Sequence, residues 1–132
     1  MVTEEQRDAL ISSACDVRQQ AYAPYSNYLV GAAILAGNGQ IFTGVNVENA
    51  SYGLTICAER SAIFTAAATG VREVLGVAIC VEGIGTPCGA CRQVMSEFAD
   101  DIPVWISDVE GNVRQTSLHT LLPDYFHGEH LA

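Results

Sequence analysis

Val74-Leu75-Gly76-Val77-Ala78-Ile79-Cys80-Val81 is a nearly unbroken apolar run, and Gly83 to Pro87 then leads into Cys88-Gly89-Ala90-Cys91-Arg92-Gln93-Val94-Met95-Ser96-Glu97-Phe98, where helical spacing takes over. An apolar run without alternation suits a strand covered on both faces, and the change of period gives strand, loop, helix. Such a strand needs a layer on each side. The Ala-rich stretch Cys57 to Thr69, stopped by Gly70, supplies a second helix. Residues 3–22 supply another, with Leu10, Ile11, Ala14, Val17, Ala21 and Tyr22 at helical spacing, a Thr3/Gln6 capping box and Pro24 as terminator.

The remaining strands read from their turns. Tyr28 to Leu35 and Gln40 to Val45 are β-rich runs around Gly37-Asn38-Gly39, a hairpin signal. Pro103 to Ile106 and Val113 to Thr116 flank Asp108-Val109-Glu110-Gly111-Asn112, and a short segment His119 to Leu122 precedes a loose tail. Alternating strands and helices predict an α/β fold, a three-layer α/β/α sandwich around a mixed sheet of about five strands, with residues 1–132 as a single domain.

Composition narrows the function. Asp and Glu outnumber Lys and Arg by 15 to 6, and a net charge of −9 repels the phosphate backbones that polynucleotide binders neutralise with basic side chains. The expected ligand is small and uncharged, with neither nucleic acid nor membrane as partner. Acidic residues stand where a signal peptide carries bases, and no long uncharged apolar run follows, so the expected location is cytoplasmic. An odd count of five cysteines in a reducing compartment argues against a disulfide framework and for thiol or metal chemistry. Cys15 and Cys80 read as buried bystanders.

The other three cysteines carry the chemistry. Cys57-Ala58-Glu59 opens one helix and Pro87-Cys88-Gly89-Ala90-Cys91 opens another. Helix N-termini lower thiol pKa values and stabilise the thiolate, the form that binds metal. Cys88 and Cys91, three residues apart on one helical face, can close on one ion with Cys57 from the other helix, giving one Zn2+ per chain. Three protein ligands leave a tetrahedral position open to water, as in a catalytic site. Glu59, two residues beyond Cys57, suits a proton carrier there. Three thiolates on Zn2+ leave a net negative charge, which Arg60 is placed to offset as an outer partner of the sulfurs. A structural zinc site in a binding module without catalysis, with a fourth protein ligand, and a redox dithiol are the competing readings. His119, His127 and His130 are the conceivable fourth ligands and read as surface residues.

Tyr25-Ser26-Asn27-Tyr28-Leu29-Val30-Gly31-Ala32-Ala33, Gly44-Val45-Asn46-Val47-Glu48-Asn49-Ala50-Ser51-Tyr52-Gly53, Cys57-Ala58-Glu59-Arg60 and Pro87-Cys88-Gly89-Ala90-Cys91-Arg92-Gln93 together resemble the small homotetrameric zinc-dependent cytidine deaminases. The match spans nearly the whole chain, and the ending Leu121-Leu122-Pro123-Asp124-Tyr125-Phe126 looks like theirs. The resemblance implies hydrolytic deamination of cytidine and 2′-deoxycytidine in pyrimidine salvage, with Glu59 carrying protons between water and the pyrimidine ring. It gives Asn46 and Glu48 the ribose hydroxyl and Tyr28 the base. It also implies a homotetramer in which Phe126 and the region of Tyr52 enter a neighbouring subunit's site. Tyr28 and Leu29 stand where that family usually has Phe and Pro. A deaminase of a modified cytosine nucleoside such as blasticidin S carries similar cysteine motifs and is the alternative within the class.

Overall fold

A computed structural model describes residues 1–131. The opening helix α1 (Glu4–Val17) starts from the Thr3 cap, whose hydroxyl accepts from Gln6 N while the Gln6 side chain accepts from Thr3 N. It ends earlier than its apolar spacing predicts, running into a 3-10 turn at Arg18–Gln20. The reason is tertiary: Tyr22 leaves the helix to bridge Val47, with Tyr22 N donating to Asn46 O and Glu48 N to Tyr22 O.

Strands β1 (Gly31–Ala36) and β2 (Ile41–Val45) form the antiparallel hairpin, followed after a loop by α2 (Ala58–Ala68). β3 (Val74–Val81) and α3 (Gly89–Phe98) occupy the spans their periods predict. β4 (Pro103–Asp108), β5 (Val113–Ser117) and the single turn α4 (Leu118–Leu121) complete the chain before a last 3-10 turn at Gly128–Leu131. The sheet order is β2-β1-β3-β4-β5, with β3 and β4 parallel and the other neighbours antiparallel.

Side chains alternate across this sheet into two apolar layers. On one face Leu10 and Ala14 of α1 pack on Ala33, Leu35, Ala78 and Trp105. On the other, Ala62 and Ile63 of α2 with Cys91 and Met95 of α3 cover Ile34, Val77 and Val104. The three-layer α/β/α arrangement around five strands is therefore as the sequence predicts. One expectation fails. Cys15 of α1 and Cys80 of β3 are joined in a disulfide, their Cα atoms 5.0 Å apart, because α1 lies directly across β3 with Cys15 facing the sheet.

The parallel pair fixes where chemistry can sit. β3 and α3 form a crossover to β4, so the N-terminus of α3 opens at the carboxyl ends of the parallel strands, where α/β sheets leave a crevice. At the opposite end, a cleft of about 730 Å3 runs between Val2, Phe98, Ile102 and Trp105. Among the described residues no helix is long and apolar enough to cross a membrane.

Candidate metal centre and active site

Cys57 and Cys88 are the residues immediately before α2 and α3, both in extended conformation. Ser, Thr, Asp or Asn at such positions would spend the side chain capping the helix; the thiols cap neither helix and stay free for a ligand. Cys91 completes the set from inside the first turn of α3, fully buried. The Sγ atoms of Cys57 and Cys88 are 3.7 Å apart and those of Cys88 and Cys91 3.4 Å, with all three inside 4.8 Å. Zn–S bonds of about 2.3 Å at tetrahedral angles require sulfurs about 3.8 Å apart. The donor set fits zinc in number, softness and spacing. Among the described residues no fourth His, Cys, Asp or Glu joins the group, and His119, His127 and His130 stand apart from it.

Electrostatics within the thiol cluster are uneven. The Cys91 thiol, followed by the Arg60 guanidinium and the Cys88 thiol, pulls the Cys57 thiol down to about 5 against the opposing effect of burial. The Cys57 thiol, together with burial, pushes Cys91 well up. One negative charge therefore settles first on Cys57, where Arg60 Nη2 stands 3.4 Å from its sulfur. Arg60 Nε is buried without a hydrogen-bond partner. Glu59, on the same first turn, is only 5% exposed, and burial raises its carboxyl pKa with the Cys57 charge adding to the effect. Its electrostatic neighbours are the centre itself: the Cys91 thiol works against the rise while the Cys57 charge adds to it. A buried carboxyl beside three metal-binding thiols is a group able to hold and release a proton where a metal would stand.

Residues 4–106 match the model of the cytidine and deoxycytidylate deaminase zinc-binding region. This chain belongs to that family. It is 44% identical over 128 residues to the cytidine deaminase of Sporosarcina psychrophila, covering 95% of this chain and 94% of the relative. Its structure resembles that of cytidine deaminase from Burkholderia pseudomallei, with TM-score 0.86 and 48% identity over 95% of this chain and 100% of the other. The corresponding enzyme from Mycobacterium tuberculosis gives TM-score 0.79 and 38% identity, over 92% and 97%. As a member of this deaminase family the chain is a zinc-binding enzyme, and its cysteine trio is a group able to hold a metal ion.

Beside the cysteine cluster, the segment Asn46–Glu48 is held between two other stretches of chain. It pairs with Tyr22 on one side, and Val47 and Ile56 exchange backbone hydrogen bonds on the other, one residue before Cys57. Asn46, 8% exposed, accepts from Val30 N at 2.9 Å through Oδ1 and donates through Nδ2 to Tyr28 O at 2.8 Å. That explains why β1 begins at Gly31 and not at Tyr28, as sequence predicts: a side chain takes the hydrogen bonds a neighbouring strand would offer. Glu48 Oε1 accepts from Tyr25 N and Ser26 N at 2.9 and 3.1 Å, while Ser26 Oγ donates to Oε2. These bonds, the Ser26 hydroxyl foremost, hold the Glu48 carboxyl below the ordinary glutamate range.

The aromatic candidates are more open. Tyr28 is 41% exposed, and its hydroxyl donates to Glu82 O at 3.3 Å, at the end of β3. Tyr52 is 76% exposed, edge-on to Tyr25, and Phe126 is 55% exposed. Two residues that sequence reasoning left without a role also bear on the site: Arg18 Nε donates to Leu29 O at 2.9 Å, and Arg92 spans the turn before Cys88. No pattern in the sequence signals this, since most of their partners are main-chain atoms.

Proposed function

We propose that the chain hydrolyses cytidine and 2′-deoxycytidine to uridine and 2′-deoxyuridine with release of ammonia. The observation that carries the reading is the buried Glu59 carboxyl on the first turn of α2, against three thiols at zinc-binding spacing. Cys57, Cys88 and Cys91 would hold the metal, which supplies Lewis-acid activation of the water that adds to C4 of the pyrimidine. Glu59 takes a proton at its carboxylate, delivers it to ring N3, then carries a second to the departing amino nitrogen. Arg60 offsets the charge of the thiolates.

Asn46 keeps one amide hydrogen beyond its bond to Tyr28 O, and Glu48 keeps acceptor capacity on Oε2. Both suit a neutral sugar hydroxyl, and the Glu48 charge repels a 5′-phosphate. Tyr28 supplies a face for the base. The exposed rings of Tyr52 and Phe126 fit sites shared between copies in a homotetramer, and salvage of pyrimidine nucleosides in the cytoplasm is the setting that chemistry serves.

Metal content together with an ultraviolet assay on cytidine, deoxycytidine, cytosine and blasticidin S tests the reading. One zinc per chain and turnover of the first two substrates are expected. Zinc without uracil nucleoside product, or turnover confined to blasticidin S, would overturn it.

A further inference from the structure

Arg92 follows the third cysteine, yet its side chain reaches back across the turn that delivers the second. Nε donates to Pro87 O at 2.7 Å, Nη2 to Thr86 Oγ at 3.2 Å, and Nη1 to Leu121 O at 2.7 Å. Every guanidinium nitrogen thus serves a neutral acceptor. Among the described residues Arg92 has no carboxylate partner at ion-pair distance. The next residue extends the contact, with Gln93 Nε2 donating to Phe126 O at 2.9 Å.

Apart from the buried ring of Pro87, the turn itself has little else to hold it. Gly83, Gly85 and Gly89 surround it, Pro87 offers no N–H, and Cys88 is exposed and makes no capping bond. A planar fork with five donors holds several acceptors in one fixed arrangement, whereas an ammonium on a flexible stem does not. We infer that Arg92 is a positioning residue of the metal centre: its guanidinium locks the Thr86–Cys88 turn against the end of α4 and so sets where the Cys88 sulfur stands. The carbonyls it grips lie one residue before a metal ligand and at the root of the C-terminal arm that carries Phe126. The metal turn and that arm therefore share one clamp.

The test compares zinc-loaded wild type, Arg92→Ala, Arg92→Lys and, as a control on the exposed strand β5, Arg114→Ala. The main readout is the rate of zinc release to an excess of a chromogenic chelator, without substrate, well below each variant's melting midpoint. Loss of an outer partner of a metal ligand weakens metal affinity about 10- to 100-fold. Arg92→Ala should release zinc at least about tenfold faster, Arg92→Lys by a smaller factor, and Arg114→Ala at the wild-type rate. If Arg92→Ala does not fold, Arg92→Lys decides. Wild-type release from either folded Arg92 variant, with only a lower melting midpoint, would reduce Arg92 to a structural prop and overturn the inference, as would equal acceleration in Arg114→Ala. The kinetic arm rests on the deamination reading: kcat for cytidine should fall in step with zinc release while KM holds. Absence of cytidine turnover in the wild type would strike that reading and leave the release result standing.

Discussion

Gly31 and Gly44 lie on neighbouring strands, point to opposite faces of the sheet, and answer the same packing demand. A Cβ on Gly31 would collide with the Ala14 carbonyl and the Arg18 backbone, so α1 sits directly on β1 there. A Cβ on Gly44 would collide with the Ala58 carbonyl and the Ala62 backbone, so α2 sits equally close on β2. The two contacts differ in what hangs from the helix. α1 carries apolar residues and Cys15 to the sheet and no member of the metal trio, whereas α2 begins at Cys57 and Glu59. One face is scaffold and the other is scaffold and instrument together, with tolerances to match.

The sharpest break of that comparison removes chemistry from the α2 face and leaves packing alone. Glu59→Gln keeps the size of the side chain and should retain one zinc per chain by elemental analysis. Turnover should fall by about 10^3-fold, within the range for loss of a general acid–base group. Substantial residual activity would remove Glu59 from its role. The paired glycine substitutions come next. Gly31→Ala should cost about 3 kcal/mol by denaturant unfolding, since overpacking against backbone is relieved only by moving a helix. Folded Gly31→Ala should keep its zinc and its kcat, whereas Gly44→Ala, at similar cost, should lose both as Cys57 shifts. Equal zinc retention in the two would erase the distinction between the faces.

The smallest effect concerns the exposed carboxylate of Glu48. Its pKa is lowered in the folded chain, so its bonds to Tyr25 and Ser26 add stability above the ordinary glutamate pKa and lose it as pH falls through the folded value. The amide resonances of Tyr25 and Ser26 should therefore move together in an NMR titration, with a midpoint below the ordinary glutamate range. A midpoint at or above that range would detach Glu48 from the segment.

Legibility followed how local each cause was. β3 and α3 were readable to the residue because an uninterrupted apolar run and a helical period are properties of the segment itself. The clustering of the three thiols near a buried Glu59 was readable because cysteine spacing and helix starts are written in short motifs. The end of α1 was not, since Ala21 and Tyr22 continue the apolar spacing while bonds to Asn46 and Glu48 pull the chain away. Nor was the start of β1, where the Asn46 amide intercepts the backbone of Tyr28 and Val30. The Cys15–Cys80 pairing depends on how a helix lands on a strand, and a count of cysteines says nothing of that.

The trio draws one sulfur from the start of α2 and two from the start of α3, with the whole of β3 between them. A nascent or opened chain can present Cys88 and Cys91 as a local chelate, yet the full affinity exists only once two helices have docked on the same sheet. Metal occupancy is therefore linked to the native state, and unfolding must expel the ion or trade three sulfurs for two. With zinc on the trio, the chain's resistance to heat would rise with free zinc and fall when a strong chelator removes it.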